Sequence, residues 1–376
     1  MHAGFETSLR DLEGRGRLRS LRERSGIDFT SNDYLGLAES EELRQAAAAA
    51  VARGVPVGSG GSRLLRGNHP EHEALESEAA AYFGAATALY FGGGYVANFA
   101  IFSTLPQRGD LVVHDELIHA SVHEGLRRGR AEFVAARHND VDAFDTAIAR
   151  WRGAGGRGRP WLSVESLYSM DGDSPNLADL FAVADRHDAM VVIDEAHATG
   201  VLGPQGRGLA ASFEGRDNVI TLHTCGKALG TVGGFVLGSK IIRDFLVNRS
   251  RPFIFATAPS PLIAAITRVA LEISRTNSER RDRLARLVQF AGAELDRRCG
   301  IKASGSHIIP IIVGADGAAV AVASSLQRRG FDIRAIRPPT VPEGSARLRI
   351  ALTANVREST VAELFEALAE DMRLAV

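Results

Sequence analysis

Between residues 86 and 237, short apolar runs alternate with segments of helix length, and this alternation constrains the fold more than any other feature of the chain. Ala86 to Phe91 reads as a strand, Tyr95 to Leu105 as a helix and Leu111 to His114 as a strand. His119 to Arg128 reads as helical and Glu132 to Ala135 as extended. Trp161 to Val164 is a strand, Leu177 to His187 a helix, and Met190 to Ile193, Val219 to Leu222 and Gly234 to Leu237 are strands. Parallel strands need a long crossover between them, and a helix is the usual one. The pattern therefore predicts an α/β fold, a mostly parallel sheet with helices on both faces.

The flanks differ. Residues 1–40 form a polar arm with no long periodic segment, and Glu41 to Arg53 reads as a helix. A loop, Gly58-Ser59-Gly60-Gly61-Ser62, leads into a helical pattern through His72 to Tyr82. After Pro261 a long amphipathic helix, Leu262 to Arg298, precedes short strands at Ile308 to Val313 and Leu348 to Leu352, with helices at Ala318 to Arg329 and Thr360 to Met372. A chain of 376 residues, at roughly 150 residues per domain, fits this division. The expected organisation is an N-terminal arm (1–40), a large α/β domain (41–261) and a small C-terminal α+β domain (262–376).

Several classes are disfavoured. A formal net charge of −1 gives no electrostatic footprint for nucleic acid or an anionic membrane. No apolar run approaches the ~18 residues of a membrane span. The first 26 residues mix arginines with Glu6, Asp11, Glu13 and Glu23, unlike a secretory signal or transit peptide. Cys225 and Cys299 are too few for a disulfide framework or a zinc site. His119 and His123 stand at i,i+4, but no Glu follows the first, so no metal is expected. Gly226-Lys227 is not the end of a P-loop, because Thr221 stands where that motif needs glycine. A soluble cytoplasmic protein is the expectation.

Lysine usage is informative. Of 44 basic residues only Lys227, Lys240 and Lys302 are lysines. An amine can lose its proton and form an imine, whereas a guanidinium stays charged. Polar residues also gather at strand ends. Met190 to Ile193 runs into Asp194-Glu195-Ala196-His197, Trp161 to Val164 into Glu165 and then Ser169-Met170-Asp171-Gly172, and Val219 to Leu222 into His223-Thr224-Cys225-Gly226-Lys227. Ligands of open parallel sheets bind beyond these ends. Gly92-Gly93-Gly94, between strand and helix, adds an anion site of backbone N–H groups. An imine-forming Lys227, a strand-end Asp194 to hold a pyridine nitrogen protonated, and a phosphate cradle together suggest pyridoxal phosphate (PLP).

Several segments resemble the α-oxoamine synthase family of fold-type-I PLP-dependent transferases. They include Ser31-Asn32-Asp33-Tyr34-Leu35-Gly36-Leu37, Gly94-Tyr95-Val96-Ala97-Asn98, His119-Ala120-Ser121 and Ser169-Met170-Asp171-Gly172-Asp173. Asp194-Glu195-Ala196-His197-Ala198-Thr199-Gly200 and Thr224-Cys225-Gly226-Lys227 extend the match. Ala335 to Pro342, followed by Ala346-Arg347-Leu348-Arg349, is similar to the family's biotin branch. The resemblance implies a homodimer that condenses L-alanine with a pimeloyl thioester of CoA or carrier protein, releasing CO2. It implies that Lys227 forms the imine, His119 stacks on the PLP ring, and Asp194 pairs with its nitrogen. Ser169 and His197 would hold the phenolic oxygen, and Thr224 with Gly94 and Tyr95 the phosphate. Arg349 would bind the amino-acid carboxylate, Thr340 would lie at the substrate end with His119, and Arg19 is the candidate from an arm shorter than the family's longer version. Rival expectations are a sibling that uses glycine and another acyl-CoA, an aminotransferase or lyase on the same fold, and a non-catalytic binding protein.

Overall fold

The computed structural model describes residues 2–374; residue 1 and residues 375–376, the extremes of the expected arm and C-terminal domain, lie outside the described residues. The chain opens with α1 (Ala3–Gly14) and a short strand β1 (Ile27–Asp28). Helix α1 corrects the reading of the arm as lacking a periodic segment. Phe5, Leu9 and Leu12 recur at i, i+4 and i+7, a helical stripe concealed by polar neighbours. None of its residues is buried.

Next come α2 (Glu41–Ala52), α3 (Pro70–Phe83), β2 (Thr87–Phe91), α4 (Gly94–Thr104), β3 (Leu111–Asp115), α5 (Ala120–Arg128) and β4 (Glu132–Ala136). They are followed by α6 (Val141–Gly153), β5 (Pro160–Glu165), α7 (Leu177–His187), β6 (Met190–Asp194), β7 (Val219–Thr224), β8 (Gly234–Gly238), α8 (Lys240–Arg249) and the short α9 (Arg251–Ile254). Helices α6, α8 and α9 were not anticipated. The first is capped by Asp140, whose side chain accepts the Ala143 N–H at 3.1 Å.

The strands form one seven-stranded sheet in the order β2-β8-β7-β6-β5-β3-β4. Neighbours from β7 to β4 run parallel, while β8 is antiparallel to both β7 and β2. Alternate side chains of each strand enter opposite cores. Val112 and Val192 pack with Phe102 and Val122 on one face. Val113, Leu162, Val191 and Ile193 pack with Phe144, Ile148 and Leu180 on the other. Burial on both faces is why these strands read as continuous apolar runs.

The expected single helix from Leu262 to Arg298 is two, α10 (Pro261–Thr276) and α11 (Glu279–Cys299). Asn277 breaks it by turning extended (φ −106°, ψ 101°). Its side-chain oxygen then accepts the Glu279 N–H at 2.9 Å, opening the second helix. The remaining elements are β9 (Ile308–Gly314), α12 (Asp316–Arg328), β10 (Phe331–Asp332), β11 (Ala335–Ile336), β12 (Ala346–Ala351) and α13 (Glu358–Leu374). Strands β11, β12 and β9 make an antiparallel sheet, and β1 pairs with β10. No described helix is long and apolar enough to cross a membrane.

Two compact units result: Leu35–Ser169 with Ser174–Arg281, carrying the large sheet, and the arm to Tyr34 with Met170–Asp173 and the chain from Asp282. Helix α10 packs on α2 and α3, so it belongs to the α/β unit, and the division drawn from sequence at residue 261 falls one helix early.

Leu162, on β5 and fully buried, anchors one of these cores. Leu162→Ala should lower stability by about 2–5 kcal/mol through lost burial and a residual cavity. Leu21→Ala, at a fully exposed position, should change it by less than about 0.5 kcal/mol. Urea unfolding of both variants checks the contrast.

Candidate active site

Four adjacent parallel strands, β7, β6, β5 and β3, release their chains at the same sheet edge. Thr224 ends β7 with Lys227 just beyond, Asp194 ends β6 with His197 beyond, Glu165 ends β5 with Ser169 beyond, and His119 follows β3. All of them belong to the α/β unit.

Asp194 is buried, 7% exposed. Its two oxygens accept the Asn98 side-chain N–H at 2.7 Å and the Ala196 backbone N–H at 2.8 Å. Donors of this kind stabilise the charged form of a desolvated carboxylate. Asn98 was not among the residues singled out from sequence. The available signal was a lone carboxamide in the otherwise apolar α4, four residues from Gly94 and so on the same helix face.

Lys227 is half-buried, and its Nζ lies 2.8 Å from Nε2 of the buried His197. Lys240 sits on the surface paired with Asp244 at 2.7 Å, and Lys302 is exposed. Thr224 Oγ1 donates to the Gly233 carbonyl at 3.2 Å and accepts the Gly226 N–H at 3.3 Å. Gly233 has φ +126°, and a Cβ there would stand 2.2 Å from the Tyr90 ring, so only glycine can make this turn. A Cβ on Gly94 would lie 3.4 Å from Thr224 Oγ1, which puts the first turn of α4 against that hydroxyl. Gly93, the N-cap of α4, contributes no side-chain acceptor to the first-turn N–H groups. Such a helix start attracts anions.

His119 caps α5, its Nδ1 accepting the Ser121 backbone N–H at 3.3 Å and lying 2.7 Å from Ser121 Oγ. The exposed Tyr95 presents its ring edge-on to His119, centroids 6.2 Å apart. Burial pushes the His119 imidazole below its ordinary pKa; Asp194 pulls it up and Lys227 pushes it down again. Ser169 donates its backbone N–H to Glu165 Oε2 at 3.1 Å.

Arg19, Thr340 and Arg349 belong to the other unit. Arg19 reaches Thr340 Oγ1 at 3.3 Å, so these two candidates meet although they stand 321 positions apart in the chain. Arg349 is 6% exposed and donates to Asn32 Oδ1 at 2.9 Å and Tyr34 OH at 3.2 Å.

The α/β unit offers a helix-start anion cradle beside a hydroxyl, a buried carboxylate held by two N–H donors, and a half-buried amine beside a histidine. These suit the phosphate, the ring nitrogen and the aldehyde carbon of PLP, so the residues fit that group. Comparisons with known proteins agree with this fit. A family model described as aminotransferase class I and II matches residues 24–368. An 8-amino-7-oxononanoate synthase of Anaeromyxobacter dehalogenans is 42% identical over 354 residues, 93% of this chain and 88% of that protein. Its counterpart in Saccharophagus degradans is 42% identical over 92% of this chain and 87% of that protein. Among solved structures, a serine palmitoyltransferase from S. paucimobilis with a bound PLP–myriocin aldimine superimposes with a TM-score of 0.89 at 26% identity, covering 99% of this chain and 98% of that one. The 8-amino-7-oxononanoate synthase of Francisella tularensis superimposes with a TM-score of 0.78 at 26% identity, covering 94% of this chain and 99% of that one.

Asn98→Ala removes a hydrogen bond to a buried charged oxygen and should cost about 1.5–3 kcal/mol. Urea unfolding of the protein free of added ligand reads it, and a change under about 0.5 kcal/mol would show that Asp194 finds a substitute donor.

Proposed function

From the premise that this chain belongs to the class I and II aminotransferase family, we propose that it is a PLP enzyme of biotin biosynthesis that condenses L-alanine with a pimeloyl thioester. The products are 8-amino-7-oxononanoate, CO2 and the free thiol of CoA or carrier protein. The observation that carries this reading is the conjunction of Lys227, Asp194 and the Thr224–Gly94 cradle at adjoining strand ends in a chain 42% identical to synthases of that compound.

Bound PLP supplies an electron sink for the carbanion that develops at alanine Cα. The protein's own residues do the rest. Asp194, whose oxygens accept the Asn98 and Ala196 N–H groups, would pair with the ring nitrogen. Lys227 would hold the cofactor through Nζ and would serve as the base for the alanine Cα proton. His197, 2.8 Å from Nζ, orients that amine and with Ser169 would bind the phenolic oxygen. The start of α4, Gly94 and Tyr95, would hold the phosphate together with Thr224. His119, whose imidazole burial pushes below its ordinary pKa, would lie against the ring face. The new C–C bond forms between alanine Cα and the thioester carbonyl; the thiol leaves, and the former alanine carboxylate departs as CO2.

Arg349 is assigned to the alanine carboxylate, and Arg19 with Thr340 to the acyl donor. Two cavities of that unit support the donor assignment. One, of about 510 Å3, is lined by Arg19, Arg22, Arg334 and Arg337. The other, of about 570 Å3, is lined largely by Leu9, Leu12, Leu18, Pro338, Pro339 and Val341. Apolar walls and guanidinium groups suit a methylene chain that ends in a carboxylate. A homodimer is supported by exposed apolar side chains of the α/β unit, Val57, Leu64, Leu65, Tyr95, Val232 and Phe255. A cytoplasmic setting is supported by two cysteines that form no disulfide.

Borohydride reduction of the PLP-loaded protein followed by peptide mapping should place the pyridoxyl label on Lys227. A label on Lys240 or Lys302 would overturn the assignment of the imine lysine.

L-Alanine with a pimeloyl thioester should give a higher kcat/KM than glycine with acetyl or succinyl thioesters. One methyl in an apolar pocket is worth ~1–3 kcal/mol, so some use of glycine is expected. Pimeloyl carries three more methylenes than succinyl, about 2.4 kcal/mol or roughly 50-fold if all are buried. Mass spectrometry of products from the crossed substrates decides it, and a win for glycine with a short donor would move the enzyme to a sibling activity.

A further inference from the structure

Glu165 closes β5 in direct register with Asp194 at the end of β6, so both carboxyl groups leave the same face of the sheet on neighbouring strands. Glu165 is 2% exposed. Its Oε2 accepts the Ser169 N–H at 3.1 Å, while its buried Oε1 has no hydrogen-bond partner among the described residues. Asp194 differs, because each of its oxygens takes an N–H. Two carboxyl groups sharing a dry site do not both ionise, and the one with fewer donors keeps its proton.

The ionisable groups facing Glu165 are Asp194 on β6, Asp115 at the end of β3, Lys227 beyond β7 and Tyr168 on its own loop. Among the charged ones only Lys227 favours the anion. Burial above all, and then Asp194, push the Glu165 carboxyl well above the usual range.

We propose that Glu165 is held as the neutral acid and acts as a positioning residue, anchoring the Ser169 turn through Oε2 and leaving Asp194 as the one anion that serves the cofactor ring. The proposal rests on Asp194 and Lys227 being the PLP-binding residues. The proton sits on Oε1, since Oε2 is occupied as an acceptor. An ionised Glu165 would place a second negative charge near Lys227 and hold its nitrogen protonated; the neutral acid avoids this while still fixing the turn.

The test titrates the absorbance of bound PLP with pH in wild type, Glu165→Gln and Glu165→Ala, and measures the PLP dissociation constant of each. Glutamine copies the shape and neutrality of the protonated acid. The expected midpoint for Glu165→Gln agrees with wild type to within about 0.3 pH units, with PLP affinity retained. Glu165→Ala, which drops the Ser169 anchor, should bind PLP about tenfold more weakly. A midpoint lowered by about one unit or more in Glu165→Gln overturns the proposal, because removing a real negative charge lowers the proton affinity of the Lys227 nitrogen. Should Glu165→Gln fail to fold, the infrared spectrum of wild-type holoenzyme at neutral pH should contain the C=O stretch of a protonated carboxyl group, and its absence overturns the proposal. Wild-type protein that acquires no PLP absorbance overturns the cofactor-site reading as well, whereas a shifted midpoint overturns this one alone.

Discussion

A carboxylate withdrawn from water has to find its hydrogen bonds within the protein, and the α/β unit is arranged around that requirement at Asp194. Burying an isolated carboxylate shifts its pKa until it protonates. Here the amide of Asn98 and the backbone N–H of Ala196 meet the two oxygens. One donor arrives on α4 and the other on the turn after β6, so both hydrogen bonds form only when the helix and the strand are docked. The pairing of a site residue with a packed helix ties cofactor chemistry to the integrity of the core.

The sheet supplies the rest of the geometry by register. Parallel strands with right-handed crossovers deliver every loop that follows them to the same edge. Four loops from β3, β5, β6 and β7 therefore converge although they are scattered from His119 to Lys227. The antiparallel β8 ends this arrangement and returns the chain past the start of α4. Gly233 and Gly234 let the backbones approach there, one through a positive φ and the other by sparing a Cβ that would stand 3.0 Å from Gly94. The cradle is thus a consequence of close packing as much as of helix polarity.

The two carboxyl groups at neighbouring strand ends are treated unequally. Asp194 has a donor for each oxygen, whereas Glu165 has one N–H and an unmatched oxygen. The same strand register that gathers the site therefore also sets two buried carboxyl groups side by side with unequal hydrogen bonding.

Much of this was legible in the residues alone. Continuous apolar runs between helix-length segments reveal a sheet buried on both faces, because burial acts on composition directly. Lys227 stood out because only three lysines remain among 44 basic residues, and Asp194, Ser169 and Thr224 because they follow apolar runs. Helix α1 and the break at Asn277 were missed, since a short exposed stripe and a single capping side chain alter local pattern very little. Asn98 was overlooked for another reason: its partner lies 96 positions away, and nothing local marks a carboxamide as the donor to a distant strand end. The approach of Arg19 to Thr340 across 321 positions is of the same kind. Periodicity and residue chemistry, which act over a few neighbouring positions, determined the elements and the reactive groups. Which donor meets which acceptor was decided by tertiary packing, because hydrogen bonding depends on distances in space.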